Sequence, residues 1–422
     1  QLGNAGWSYA DVLPYFKRAE DQERGATAEH GAGGPLAVSS LRDRLPVCEA
    51  FIQSALALGL PRNDDFNGAT QEGVGYYQLT TRNGRRCSTA VGYLRPAMKR
   101  QNLRILMETL AERIRFEDRR AIGVEVVSDG TRRFIRARRE VILSGGAVNS
   151  PQLLMLSGVG PAADLAAFGI PLVIDMPGVG QSLQDHYQVR IVHRCNRPIT
   201  VNDMMLSVPK KIAAGLQYLL FRRGPLTIAA GQVGLFVRTR PELATPDVQY
   251  HFIMFSADRP AEGLHRFSGF STIINQLRPD SRGEIRLRSG APQDAPAIHP
   301  NYLATELDRR TLIAGVKLAR RVAGESEMQA FIESEYLPGS LVVTDDEILD
   351  FAKQYGGTVY HPTSTCRMGA DPMAVVDAKL SVHGLAGLRV ADASIMPTVV
   401  SGNTNAASIM IGERVADFVL SA

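Results

Sequence analysis

The sequence predicts two kinds of folding unit in one chain: a doubly wound α/β unit, and an α+β unit built on an antiparallel sheet. Three observations lead there. Val141-Ile-Leu-Ser-Gly-Gly146 is an apolar strand running into glycines, the passage by which doubly wound domains present a strand's carboxyl end to a ligand. Val248–Phe255, Ser271–Leu277 and Gly283–Ser289 read as antiparallel strands. Residues 361–422 then return to strand-before-helix order, with Gly387–Ala391 as the strand, and are expected to rejoin the first unit.

The elements follow in order. Ser8 or Asp11 caps a helix running to Glu20. Residues 28–36 are Gly-rich and polar, a loop. Pro46–Gly59 reads as an amphipathic helix with Val47, Phe51, Ala55 and Leu56 on one face. Thr89–Lys99 reads as a helix. Asn102–Leu106, Ala111–Phe116, Ile122–Ser128, Thr131–Ala137 and Glu140–Leu143 read as strands, with Asp129-Gly130 as a hairpin turn. Asn149-Ser150-Pro151 is expected to cap and start a helix through Leu156. Gly158-Val-Gly160-Pro161 and Pro177-Gly-Val-Gly180 mark turns, and Asp308–Ala323 and Asp345–Tyr355 read as helices. No internal repeat or low-complexity tract interrupts the chain.

Composition sets the outer bounds. With 422 residues, 45% hydrophobic and 21% charged, the chain can bury two or three domains' worth of core. A net charge of +4 is mild for this length and points to a solvated surface, not to nucleic acid. Four cysteines without metal spacing suit a reducing compartment, so a cytoplasmic or membrane-peripheral location is expected. No run of about 18 apolar residues predicts an integral membrane segment. The chain opens Gln1-Leu-Gly-Asn-Ala-Gly-Trp7, without Met or signal peptide, and is read as the C-terminal part of a longer protein.

The densest motifs lie at the end. Tyr360–Gly369 reads Tyr-His-Pro-Thr-Ser-Thr-Cys-Arg-Met-Gly, Val390–Pro397 reads Val-Ala-Asp-Ala-Ser-Ile-Met-Pro, and Ser401-Gly-Asn-Thr-Asn405 opens a helical run. Ser144–Gly160 reads Ser-Gly-Gly-Ala-Val-Asn-Ser-Pro-Gln-Leu-Leu-Met-Leu-Ser-Gly-Val-Gly. Together with Trp7–Glu20, Gly84–Ser88 and Asn102–Phe116, these segments resemble, in family order, the glucose–methanol–choline (GMC) flavoprotein oxidoreductases, with a choline dehydrogenase-like flavour.

The resemblance implies a Rossmann-like FAD-binding domain over 1–30, 81–190 and 356–422. It implies an antiparallel substrate domain over 31–80 and 191–355. The family's Gly-x-Gly-x-x-Gly cradle for the FAD pyrophosphate is not found. Gly31-Ala-Gly33, Gly73-Val-Gly75, Gly158-Val-Gly160 and Gly178-Val-Gly180 each lack the third glycine at the right offset. The FAD-binding domain is therefore expected to be incomplete at its N-terminal end, and the fragment to bind FAD poorly.

The family's catalytic pair falls on His361 and Asn403. Oxidising an alcohol removes a proton from oxygen and a hydride from carbon. A flavin can accept the hydride at N5, and a histidine suits the proton. Asn403 can bond the substrate oxygen but cannot act as a base, which leaves that task to His361. The helix opened by Thr404 and Asn405 is expected to aim its dipole and free amides at the flavin pyrimidine. Further cofactor contacts are implied at Ser144 and Gly145, at Asp392 and Ala393 (ribityl–phosphate) and at Ala111 (adenine). No metal site is expected. His30, His193, His251, His265 and His299 read as structural, and His186 and His383 likewise, although both lie in family-like stretches.

Choline-active members place a Glu in a Glu-Ala-Gly-Gly-Phe-type strand. Here Gln232 stands in Gln232-Val-Gly-Leu-Phe236. Without that countercharge a buried cation is costly, so a neutral primary alcohol is the expected substrate. The electron acceptor is left open among a quinone, a protein and O2. An O2-using oxidase, a hydroxynitrile lyase on the same scaffold and an inactive fragment are the alternatives.

Overall fold

The computed structural model describes residues 2–227, 231–258 and 263–421. Its largest element is an antiparallel sheet. The strands run in the order Ile332–Leu337, Tyr187–Cys195, Gly269–Gln276, Val248–Ile253, Gly231–Val237, Gly73–Tyr76, with Gly357–Thr358 also paired to Tyr187–Cys195. Successive side chains of a strand alternate between the two faces. Register therefore sorts the residues: Leu235, Tyr250, Ile274 and Val189 lie across from one another, as do Phe236, Gln249, Asn275 and Gln188.

The first row faces a core made with the helices Pro46–Ala57, Glu306–Gly324 and Asp345–Tyr355, where Phe51, Phe252 and Val316 are buried. The predicted helix face of Val47, Phe51 and Ala55 is buried there. The second row, polar apart from Phe236, faces the candidate site. Gly283–Ser289 does not join this sheet. Its strand Glu284–Arg286 pairs with Ala297–His299 in a separate hairpin, and Ile285 packs in the other core.

That other core gathers Leu143, Leu154, Met155, Val376, Val390 and Ile411. Its strands Val141–Leu143 and Leu388–Val390 pair in parallel, so residues 361–422 do return to the earlier unit. The helices Gly146–Leu156 and Asn405–Leu420 pack against it. Beside it lies an antiparallel sheet of Thr109–Glu117, Arg120–Ser128 and Thr131–Arg136. Asp129 and Gly130 both take positive φ, 48° and 71°, the left-handed conformation that a two-residue hairpin requires. Ser8 and Asp11 form a capping box on the helix Tyr9–Ala19.

Two local expectations fail, each for a physical reason. Residues 102–106 form no strand. Leu103, Ile105 and Leu106 stay exposed, and no neighbouring strand takes up their backbone groups among the described residues. Asn149-Ser150-Pro151 does not start its helix, which begins at Gly146. Pro151 sits inside, where its missing N–H leaves the Ala147 carbonyl without a helical partner. The Thr365 hydroxyl donates to that carbonyl at 2.7 Å, which makes the proline tolerable. The helix expected over Thr89–Lys99 is present over residues 90–97, wound as a π-helix at Ala90–Leu94 and as an α-helix at Arg95–Ala97.

Candidate active site

His361 follows Tyr360, whose φ of 63° turns the chain sharply. The His361 amide donates to Asp185 Oδ1 at 2.9 Å, while Asp185 Oδ2 accepts from the Tyr302 and Thr358 hydroxyls. Asp185 thus fixes the backbone at 361 from a segment some 175 residues earlier in the chain. The residue is 7% exposed.

Asn403 precedes the helix Asn405–Leu420. The helix N-cap is Thr404, without a side-chain cap bond, and the Asn403 side chain turns to the histidine instead. Its Nδ2 lies 3.1 Å from His361 Nε2 across a 42-residue separation. Asn403 Oδ1 accepts from Gln249 Nε2 at 3.5 Å. Gln249 Nε2 also donates to Tyr77 Oη at 2.8 Å, and Tyr77 Oη donates to the Tyr250 carbonyl at 3.0 Å.

The other ring nitrogen of His361 meets a residue that sequence reading took as structural. His186 Nδ1 lies 2.9 Å from His361 Nδ1, and His186 Nε2 lies 3.1 Å from the Leu277 carbonyl. These contacts assign every ring proton. A carbonyl only accepts, so His186 Nε2 carries hydrogen. Burial, with His361 adding to it, holds the His186 pKa down at about 3, so the ring is neutral and its Nδ1 bears a lone pair. His361 Nδ1 must then donate. Burial also lowers the pKa of His361, and Asp185 opposes that shift. The neutral ring leaves its lone pair on Nε2, where Asn403 Nδ2 donates to it. The network supplies His361 in the tautomer of a base, with the reactive nitrogen facing Asn403.

His251 shares the site face with Gln249 and stacks on Tyr77 at 5.3 Å between ring centroids. Its Nε2 and the Asn275 Oδ1 are buried and have no hydrogen-bond partner among the described residues. Burial pushes the His251 pKa down to about 4.

Gln232 does not join this cluster. It sits at a register shift between Gly231 and Val233, a β-bulge that disturbs the alternation of faces. Its side chain is fully buried. Oε1 accepts from the Cys48 thiol at 3.0 Å, and Nε2 donates to the Asp43 carbonyl at 3.3 Å. None of its side-chain hydrogen bonds among the described residues reaches His361, Asn403, Gln249 or Tyr77.

The residues expected at the cofactor gather at the carboxyl ends of the parallel pair. Leu143 and Val390 are register partners, so Ser144–Gly145 and Asp392–Ala393 emerge side by side. Ser144 Oγ donates to the Ala391 carbonyl at 3.2 Å. The Asp392 carboxylate is already engaged: Oδ2 accepts from the Gly146 amide and the Ser150 hydroxyl, and Oδ1 from the Ser394 amide. What Asp392 can offer a ligand is therefore its main chain. Thr404 and Asn405 stand next to Asn403, while Ala111 lies apart in the three-stranded antiparallel sheet, just before a bulge.

These residues fit FAD. Ser144, Gly145, Asn403 and Asn405 are exposed, and a side chain's first carbon at Gly146 or Gly402 would meet nothing within 4 Å. The uncapped helix at Asn405 presents free amides and the positive end of its dipole, an environment that suits an electron-accepting ring carrying negative charge.

Family models for GMC oxidoreductases match residues 1–188 and 279–412. The mitochondrial choline dehydrogenase of Mus musculus is 44% identical over 419 residues, covering 99% of this chain and 70% of that protein. An oxygen-dependent choline dehydrogenase of Brucella ovis is 43% identical over 422 residues, covering 100% of this chain and 76% of that protein. Among solved structures, pyridoxine 4-oxidase from Mesorbium loti superposes with a TM-score of 0.88 at 31% identity, over 100% of this chain and 79% of that one. A formate oxidase of Aspergillus oryzae, studied for modification of its FAD, superposes at 0.92 with 27% identity over the same shares.

Proposed function

Because this chain belongs to the GMC oxidoreductase family, we propose that His361 and Asn403 together handle the hydroxyl of its alcohol substrate. The enzyme is an FAD-dependent alcohol oxidoreductase with separate FAD-binding and substrate domains. Bound FAD supplies the two-electron acceptor for the substrate's carbon-bound hydride.

The single observation that carries the proposal is the proton order along Leu277, His186, His361 and Asn403. A substrate hydroxyl entering between His361 and Asn403 donates to the lone pair on His361 Nε2 and accepts from Asn403 Nδ2. Loss of its proton to Nε2 leaves an alkoxide oxygen stabilised by the Asn403 donor while the carbon gives up hydride. His186 does not move the proton. It holds His361 Nδ1–H in place, so the arriving proton has only Nε2 to occupy. Ser144, Gly145, Asp392, Ala393, Thr404 and Asn405 hold the cofactor, chiefly through main-chain amides, and Ala111 contributes on the adenine side.

The substrate is a neutral primary alcohol. The Gln232 amide is engaged with Cys48 and Asp43, and Asp185, the carboxylate bonded to the His361 amide, is also engaged by Tyr302 and Thr358. A quaternary ammonium would find no free countercharge on this network. His251 Nε2 and Asn275 Oδ1, buried and unpartnered on the same face, suit a second polar group of the substrate. The test is steady-state kinetics of the FAD-loaded enzyme with choline against benzyl alcohol and a short aliphatic alcohol. A higher kcat/KM for choline overturns the substrate reading, and flavin that no alcohol reduces overturns the function. Peroxide release during turnover marks O2 as the acceptor.

A further inference from the structure

The helix Val208–Phe221 is built the wrong way round for a soluble surface. At about 100° per residue, Val208, Ile212, Leu216, Leu219 and Leu220 share one arc of about 120°. Each is exposed, Ile212 at 60%, Leu219 at 63% and Leu220 at 67%. Only Ala214 of the helix is buried, from the opposite side. An outward apolar stripe one helix long, about 20 Å, is larger than the scattered exposed side chains of an ordinary monomer and marks a docking face.

Charge identifies what docks there. Between Asp203 and Glu242 the sequence has no acidic residue, while Lys210 and Lys211 occupy the first turn of the helix and Arg222 and Arg223 follow its last. Arg42 joins that end, bonded to the Arg222 carbonyl, and Arg223 returns a bond to the Arg42 carbonyl. The hairpin carrying Arg85 and Arg86 packs against the same place, with Gly84 close to the Arg222 carbonyl. Arg223 has one carboxylate partner, Asp43 at 3.6 Å, but Lys210, Lys211, Arg85, Arg86 and Arg222 make no ion pair among the described residues. An apolar stripe with a cation cluster at each end is complementary to hydrocarbon lying beneath anionic headgroups. It is not complementary to a second copy of the same positive surface. No helix among the described residues is long and apolar enough to cross a membrane.

We propose that Val208–Phe221 lies flat on an anionic lipid surface, its leucine face in the acyl boundary and its Lys and Arg clusters at the headgroups. Flotation with phosphatidylglycerol–phosphatidylcholine vesicles tests this. The protein should float with these vesicles, bind pure phosphatidylcholine far more weakly, and be released in part by high salt. Leu216→Glu with Leu220→Glu should cut vesicle binding by about tenfold or more, and Lys210→Glu with Lys211→Glu should remove the preference for anionic lipid. Both pairs sit on the surface, so the thermal midpoint should hold. The proposal is overturned if the protein does not bind these vesicles, or if neither pair changes binding. It is also overturned if Leu216→Glu with Leu220→Glu instead abolishes a concentration-dependent dimer, which would make the stripe an interface between copies.

Discussion

Two histidines of this protein are almost equally buried, His30 at 5% exposed and His361 at 7%, yet their pKa values are pushed in opposite directions. His30 lies between carboxylates: Nδ1 sits 2.9 Å from Glu20 and Nε2 sits 2.9 Å from Asp65. Burial works against its charge, but the two acids outweigh burial and raise its pKa. His361 lies between neutral groups, His186 and Asn403, and burial prevails. Depth alone therefore does not decide the charge of a buried imidazole; its hydrogen-bond partners do. His30 is a clamp joining the 20–31 segment to the 63–68 turn, whereas His361, the proposed base, is biased toward its neutral form.

The sharpest way to break this contrast is to remove the base. His361→Ala should slow flavin reduction in the FAD-loaded enzyme by about 10²–10⁴-fold. Stopped-flow measurement should also show the loss of the acid limb of the rate–pH profile. In the parent enzyme that limb lies below about 6.5, the ordinary histidine value, because the neutral ring is the active form. A variant that keeps the same limb would show that another group takes the proton.

Asn403→Ala should cost less, about 10²–10³-fold, because water can partly replace a lost donor. If its rate falls below that of His361→Ala, the roles are misassigned.

On the clamp side the expected effect is on stability. His30→Gln leaves Glu20 and Asp65 facing each other, and should cost toward the lower end of about 3–5 kcal/mol, because Asp65 is a third exposed. The sign with pH follows from the raised pKa. The clamp's contribution is full below about 6.5 and fades as pH rises through the folded-state value, so His30→Gln should flatten the alkaline loss of stability. His186, His193, His251 and His361 act the other way. Their folded pKa values are depressed, so stability should fall as pH drops below about 6.5 in parent and variant alike. Chemical denaturation across pH measures both limbs.

The smallest effect is expected at His186. His186→Ala removes a positioning group and should lower kcat by about 10–100-fold with little change in KM. Its distinguishing mark is the acid limb, which should move up toward the ordinary histidine value as water reaches His361. A lower kcat with an unmoved limb would make His186 merely structural.

Much of the fold was legible because its signals are local. The Asp129-Gly130 turn, the Ser8 cap and the helix Asp345–Tyr355 each follow from residues within a few positions of one another. The His361–Asn403 pair was legible through the resemblance of its flanking motifs. His186 was not, since a histidine in Gln184-Asp185-His186 looks the same whether it bonds a carbonyl or another ring. Gln232 was placed by its resemblance to the family's Glu-bearing strand; its actual partners, Cys48 and Asp43, are set at a bulge one residue wide that the sequence does not announce.

By itself, then, the sequence determined the order of most elements, the family, and the two side chains proposed to meet the alcohol, because turn chemistry, periodicity and motif spacing act over short stretches of chain. Tertiary structure alone decided that the His361 lone pair lies on Nε2, that Gln232 bonds Cys48 and Asp43, and that Thr365 satisfies the carbonyl freed by Pro151. Each of these depends on partners at least 175 residues apart in the chain, and such contacts are set by strand register and packing, which no local pattern encodes.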